Sequence, residues 1–400
     1  MIEKVEPLSL DTRAPDTQHS TFNLFPMPSP TMYYLTDIHF DVDVAAVLPG
    51  ILDALGVHRP LVVTDAVLAS LGVVDRLGIS AAAVFDAVET NPAEADALAA
   101  LKVYREASCD GCVSLGGGSP IDLAKCVSLL VHHPLPLEQY ACIRGGREKI
   151  RGEQTVPHVA IPTTAGSGSE VGRAALVSFD SGKKLGIVSP ALIPAAAICD
   201  PGLTVSMPPR LTAATGMDAI SHCVENFCAR SDNAIADAIA IDGLERAWGH
   251  IRGAVHDGRD RTHRREMMLA ALAGGLTFQK GLGAVHSLSH PLGALPHKRL
   301  HHGTLNAVFL PHVLRFNMDA CPEKMDRMAE RLALPHRSAL PEAMALLSED
   351  LSLPTTLGAM GVSREDLADL PTHAAADHCT PENPRDLAES DLAGLYDMAL

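Results

Sequence analysis

Aromatic residues are scarce in this chain, with one Trp and five Tyr in 400 positions. It has no basic run longer than His297-Lys298-Arg299, and its formal charge is −16. Phosphate binding needs clustered Lys and Arg, so nucleic acid is excluded as the main partner. No stretch approaches eighteen consecutive apolar residues, which excludes a predicted membrane-spanning helix. The N-terminus, MIEKVEPLSLDTRAPDTQHS, is polar and lacks the apolar segment of a secretory signal. Nine Cys follow no regular framework, so reduced thiols and a cytoplasmic location are expected. Cys109 and Cys112 form a lone C-x-x-C, which reads as two buried thiols at the end of an element. There is no internal repeat and no low-complexity tract.

What is present is ordinary globular material. Hydrophobic residues make up 47% of the chain and charged residues 20%, enough to bury a sizeable core. Four hundred residues exceed one compact core, so two domains are expected. Residues 1–30 are rich in Pro, Ser, Thr and Asp without a period, and read as a loosely held extension. Short apolar runs follow: RPLVVTD (59–65), AAAVFDAV (81–88), CDGCVSLGGGS (109–119), PHVAIPTTAG (157–166) and AAAICDP (195–201). They alternate with helical spacing such as ADALAALKVYREAS (95–108). This pattern predicts an α/β domain with a parallel sheet over 31–205. At Pro208 the texture changes, and PPRLTAATGMDAISHCVENFCA opens a series of helices that predicts an all-α domain over 206–400.

Three constellations carry chemistry. In LGGGSPIDLAK (115–125), Gly116, Gly117 and Gly118 end a strand, and Ser119-Pro120 begins a helix with Asp122 in its first turn. Glycines admit close backbone approach, and a helix N-terminus offers free N–H groups to a pyrophosphate. IPTTAGSGSEV (161–171) is a second strand end running into Thr163, Thr164 and Ser167. Two such loops on one sheet are what a dinucleotide crevice needs. Asp65, closing RPLVVTD, would accept from the adenosine ribose and repel a 2′-phosphate, favouring NAD over NADP.

The third constellation joins two stretches. In TGMDAISHCVE (215–225), Asp218 and His222 are four apart, and in GAVHSLSHPLG (283–293) so are His286 and His290. Each pair shares a helix face. Five histidines (His286, His290, His297, His301, His302) fall within seventeen positions. Asp218, His222 and His286 give an O,N,N set that one further His would close around a divalent cation. Imidazole and carboxylate suit Fe(II) or Zn(II) better than Ca or Mg.

These stretches, with HHGTLNAVFLPHVLRFN, resemble in order the successive motifs of the iron-containing (group III) alcohol dehydrogenase family, over roughly residues 32–320. The resemblance implies an N-terminal dinucleotide-binding domain, a helical C-terminal domain of the dehydroquinate synthase-like type, and a homodimer. It implies metal ligands Asp218, His222, His286 and His302, with His290 as the catalytic histidine beside the reacting carbon. Gly117, Gly118, Ser119, Asp122, Thr163, Thr164 and Lys184 match nucleotide contacts, and Asn91 lies where the family meets its cofactor. The interval from His290 to His302 is longer than the family's, which leaves His301 and His297 as alternatives to His302. MYYLTDIHFD, LERAWGHIRGAVHDGRD and the basic insert before HHGTLNAV are similar to the 4-hydroxybutyrate dehydrogenase branch. The implied reaction is NAD-linked interconversion of 4-hydroxybutyrate and succinic semialdehyde. Lys298 or Arg299 would hold the substrate carboxylate, unless both are solvated loop charges. A broad alcohol dehydrogenase acting on neutral alcohols or diols is the alternative. A dehydroquinate-synthase-like lyase would need additional basic residues for a phosphorylated substrate, and these are not found.

Overall fold

Four of the five apolar runs become strands buried at every position, and the fifth, Ala83–Phe85, forms a sheet edge with Val84 exposed. Among the described residues, 36–400 apart from Pro296 in this computed structural model, eight strands form. The expected extension over 1–30 lies outside them. The strands are β1 (Asp37–Phe40), β2 (Pro60–Val63), β3 (Ala83–Phe85), β4 (Gly111–Gly116), β5 (His158–Pro162), β6 (Ala174–Ser178), β7 (Lys184–Val188) and β8 (Ala196–Cys199). Six make one parallel sheet in the order β1-β8-β5-β4-β2-β3. β6 and β7 pair as a separate antiparallel hairpin.

Helices α1 (Val44–Ala54), α2 (Ala66–Ser70), α3 (Glu94–Glu106) and α4 (Gly118–Leu130) belong to this half. Leu61 and Val63 of β2 join the core shared with α3 and α4, whereas Val62 joins the core shared with α1. Covered on both faces, such a strand needs no polar alternation. After β2 the chain turns to α2, whose Leu68 packs in the α1 core. After the neighbouring β4 it turns to α4, on the opposite face. Adjacent strands whose chains leave to opposite faces open a crevice at their C-terminal ends.

The rest is helical: α5 (Pro209–Cys228), α6 (Ala234–His256), α7 (Arg261–Leu276), α8 (Ala284–Gly293), α9 (His302–Asn317), α10 (Pro322–Arg331), α11 (Leu340–Asp350), α12 (Leu370–Ala375) and α13 (Glu389–Ala399). Pro209 occupies the first turn of α5, where a missing N–H costs nothing. A single apolar core runs through Met217, Phe227, Leu244, Met268, Leu288 and Phe309. The expected boundary near 205 falls between the end of β8 and the start of α5. All nine cysteines are free, with Cys112 buried in β4 and Cys109 partly buried just before it. Among the described residues no helix is long and apolar enough to cross a membrane.

Candidate metal and cofactor site

The crevice is built from two loops that touch. Gly117 and Gly118 lie so close to the β5 loop that added Cβ atoms would meet Thr164 Cγ2 at 3.2 Å and Ser167 Cβ at 3.0 Å. Gly117 caps α4 without a side-chain acceptor, so this helix N-terminus, with Ser119 in its first turn, presents backbone N–H groups to the crevice. Thr163 donates its backbone N–H to Gly116 O at 2.9 Å, which sets the two loops side by side. Asp65 accepts from Val67 N (2.9 Å) and Leu68 N (3.0 Å) through Oδ1, capping α2 at the rim.

Asp122 is not on the open face of the crevice. Its carboxylate is buried, accepts from Ser169 Oγ and from Leu176 N (3.0 Å), and faces Lys125 at 3.8 Å. It acts on the crevice by bracing the β5 loop and the hairpin. Lys125, unassigned in the sequence, completes the brace. Its buried ammonium donates to Ser169 O (2.7 Å), Ser169 Oγ (2.8 Å), Gly172 O (2.9 Å) and Ala174 O (2.7 Å). Burial pushes Asp122 up and Lys125 down, and each partner opposes the other's shift. Lys184, at the start of β7, donates to Asn91 Oδ1 at 2.7 Å. The pair stands at the C-terminal end of α8, within about 4 Å of a Cβ built on Gly293. Burial lowers Lys184, and Asp122, Asp218 and Asp377 oppose that shift.

Beyond the crevice, four side chains converge. Asp218 and His222 project one turn apart from α5, His286 comes from the first turn of α8, and His302 opens α9. Asp218 Oδ1 lies 3.6 Å from His222 Nε2, 3.9 Å from His286 Nε2 and 3.7 Å from His302 Nε2. One ligand atom from each lies within 4.8 Å of all the others. Gly303 makes the approach of α9 possible, since a Cβ there would stand 2.1 Å from Ala214 O on α5. His301 caps α9 from outside the cluster and His297 is exposed. Of the three open candidates, His302 is therefore the one brought to Asp218.

The outer nitrogens fix which lone pairs point inward. His222 Nδ1–H donates to Gly166 O at 3.2 Å, and His286 Nδ1–H donates to the Glu225 carboxylate. Glu225 also accepts from Val285 N at 2.7 Å, and burial pushes its carboxyl up to about 8. Each Nε2 is thereby left as an acceptor facing Asp218. Burial, then the neighbouring His222, hold His286 well below the ordinary imidazole range, and burial does the same to His302. Asn306 Nδ2 sits at the convergence point, 2.7 Å from Asp218 Oδ1, 3.1 Å from His286 Nε2 and 3.2 Å from His302 Nε2. Its Oδ1 is buried without a partner. One carboxylate and three imidazoles aimed at one point, Asp218, His222 and His286 buried and His302 partly so, fit a tetrahedral or open divalent cation.

His290, one turn beyond His286, lies beside the cluster and not in it. Its ring stacks on His302 (centroids 5.5 Å, 11°) and on His378 (5.6 Å, 8°). Its Nδ1–H donates to Asp377 Oδ2 at 3.0 Å, which leaves Nε2 as the working nitrogen. Burial alone would raise Asp377, but the facing His290 and His378, with the N–H of Cys379, hold it below the usual carboxylate range.

Lys298 and Arg299, expected beside the substrate, have other partners. Lys298 pairs with Asp366 at 3.1 Å and donates to Gly361 O. The Arg299 side chain is 92% exposed and faces Glu89 at 3.6 Å. Both are surface charges of the loop before α9.

Some partners were legible and unused. Glu225 falls seven after Asp218, and Asn306 four after His302, so helical spacing alone places them on the ligand faces. Asp377 had no local signal, because it lies 87 residues from its partner His290.

Comparison with known proteins agrees over nearly the whole length. The iron-containing alcohol dehydrogenase model matches residues 36–201, and the model of the C-terminal part of the Fe-containing alcohol dehydrogenase family matches 212–400. A 4-hydroxybutyrate dehydrogenase of Cupriavidus necator is 45% identical over 380 residues, covering 92% of this chain and 99% of that relative. Among solved structures, a 1,3-propanediol oxidoreductase superposes with a TM-score of 0.86 at 34% identity, covering 92% of this chain and all of that one. A sulfoacetaldehyde reductase from Bifidobacterium kashiwanohense, solved with NAD+, gives 0.83 at 27%, covering 92% and 98%. With both halves matched and the ligand cluster assembled, the chain belongs to the iron-containing alcohol dehydrogenase family.

Proposed function

We propose that this protein is an NAD-linked dehydrogenase that interconverts 4-hydroxybutyrate and succinic semialdehyde. Asp218, His222, His286 and His302 would hold one divalent cation, Fe(II) in the first instance and Zn(II) as the alternative. The observation that carries the reading is the convergence of these four ligand atoms beside His290. The 45% identity to a 4-hydroxybutyrate dehydrogenase supports the choice of substrate.

A cation held there supplies Lewis acidity to the alcohol or carbonyl oxygen. NAD supplies the hydride acceptor. The chain's own residues do the rest. Glu225 and Gly166 O keep the imidazoles in the ligating tautomer. The first turn of α4 and the Thr163–Ser167 loop would seat the pyrophosphate, and Asn91 with Lys184 would meet the nicotinamide end. Asp65 would read the adenosine ribose. His290 Nε2, oriented by Asp377, would take the alcohol proton as hydride leaves the carbon, and release it to solvent. The nine free thiols and the family resemblance support a cytoplasmic homodimer, which sedimentation tests. We also place the boundary between the two domains near residue 205.

The test is the change in absorbance at 340 nm with NAD or NADP, Fe(II) or Zn(II), and 4-hydroxybutyrate against 1-propanol and 1,3-propanediol. Preference for 4-hydroxybutyrate with NAD supports the reading. Equal or faster turnover of the neutral alcohols would leave the dehydrogenase and discard the substrate.

A further inference from the structure

A second group of ligating side chains stands beside the first. His290 Nδ1 is 3.0 Å from Asp377 Oδ2, Asp377 Oδ1 is 3.5 Å from His378 Nδ1, and His378 Nε2 is 3.6 Å from Cys379 Sγ. One ligand atom from each of the four lies within 4.8 Å of all the others. We infer that His290, Asp377, His378 and Cys379 form a second cation site, which takes Zn(II) and silences His290 when filled. The silencing rests on the role of His290 proposed above, and the binding does not.

The donor set differs in kind from the first. Asp218 and its three imidazoles include no sulfur, whereas here a thiol joins two imidazoles and a carboxylate. Thiolate and imidazole together suit Zn(II). A tetrahedral Zn(II) about 2.0–2.3 Å from each ligand would hold the ligands roughly 3.3–3.8 Å apart, so the group needs to close by only about 1 Å at its widest. Burial, then the Asp377 and Glu225 carboxylates, push the Cys379 thiol well up. The thiol therefore keeps its proton until a cation displaces it.

The surrounding chain holds these groups in place. Asp377, His378 and Cys379 are consecutive, just beyond α12, and Cys379 N donates to Asp377 Oδ1 at 2.8 Å. Thr380 Oγ1, next in the chain, donates to Ala374 O at 2.7 Å and lies 2.8 Å from Ser287 Oγ of α8, the helix that carries His290. Gly186 of β7 leaves room for the His378 ring, since a Cβ there would meet Cε1 at 3.1 Å. His290 and Cys379 are buried and Asp377 and His378 partly so, which leaves an approach from solvent on the His378 side.

Either nitrogen of His290 gives the same result. A cation at Nδ1 displaces the proton donated to Asp377 and ends that orientation. A cation at Nε2 occupies the working nitrogen itself. Both remove the acid–base while leaving Asp218, His222, His286 and His302 with their own ion.

The test strips wild type, Cys379→Ser and His378→Gln with chelator and titrates each with Co(II), with thermal midpoint as the folding control. Thiolate bound to Co(II) gives a near-ultraviolet charge-transfer band that imidazole and carboxylate do not. In wild type the first equivalent should fill the Asp218 site without the band, and the second should bring it. Cys379→Ser should bind one equivalent and show no band, and His378→Gln should need at least about tenfold more Co(II) to show it. Zn(II) is then added to the Fe(II)-loaded enzymes, with iron content measured before and after. Turnover should fall roughly 100-fold in wild type, as loss of a positioned acid–base does, and less than about threefold in Cys379→Ser. No band in wild type, or one that persists in Cys379→Ser, would overturn the site. Equal inhibition of both enzymes, or inhibition only as iron is displaced, would overturn the silencing. An Fe(II)-loaded wild type that turns over no alcohol would overturn the proposed function and leave the Co(II) result standing.

Discussion

Glu225→Gln replaces one oxygen by nitrogen and isolates the step by which the fold prepares a metal ligand. Glu225 accepts two buried N–H groups, from His286 Nδ1 and from Val285 N (2.7 Å). A carboxamide has one acceptor oxygen, so one of these donors must face an NH2 group. Leaving a buried donor unmet costs about 1–3 kcal/mol. His286 avoids that cost by moving its proton to Nε2, and the lone pair aimed at Asp218 is then lost. Losing such an outer partner weakens metal binding by about 10–100-fold. That is about 1.4–2.7 kcal/mol, within the cost of the unmet donor. The assay is competition for Zn(II) or Fe(II) against a chelator of known affinity, with circular dichroism as the folding control. The metal-dependent rise in thermal midpoint should shrink in parallel, since stabilisation follows ligand concentration over Kd. Metal affinity within threefold of wild type, in a folded variant, would refute the argument that Glu225 sets the His286 tautomer.

Three further outcomes are expected. His290→Ala should retain metal and lower kcat roughly 100-fold, as loss of a positioned acid–base does; metal loss measured by elemental analysis would return His290 to the ligand set. Asp65→Ser keeps an acceptor to cap α2 but removes the charge at the ribose, so NADP use should rise with a thermal midpoint near wild type. An unchanged NAD/NADP ratio would end the discriminating role of Asp65. His158 is buried against Ser114 Oγ at 2.7 Å, and burial, then the Lys125 charge, push its pKa down to about 3. Unfolded, it titrates near 6.5, so between about pH 6.5 and 3 the unfolded chain binds a proton that the folded chain refuses. Stability therefore falls with pH across that window, at about 1.4 kcal/mol per unit from this group. His158→Gln should lose visibly less stability than wild type between pH 7 and 5 in denaturant titrations, and parallel losses would contradict the assignment.

Much of the fold could be read directly. β2, β4, β5 and β8 are largely apolar and buried at every position, as a sheet covered on both faces allows, and β3 is a short apolar strand at the sheet edge. β1 and the β6–β7 hairpin carry no such apolar run. DIHF is half polar and AALVS is buried only at alternate positions, so neither carries the signal of a central strand. Asp218 with His222, and His286 with His290, were legible for a geometric reason: a spacing of four fixes two side chains to one helix face wherever the helix lies.

Sequence by itself determined the buried strands and the run of helices after Pro208, the two Gly- and Thr-rich strand ends, and the residue types able to hold a cation. It determined them because periodicity and turn chemistry act within a few residues of chain. Tertiary structure decided the rest. It selected His302 from three neighbouring histidines, because Gly303 lets α9 reach Ala214 O and only the ring that opens that helix meets Asp218. It paired His290 with Asp377, turned Asp122 into a brace, and drew Lys298 and Arg299 to Asp366 and Glu89. Each of these outcomes depends on what packs opposite a side chain, a relation between segments tens of residues apart that no local pattern encodes.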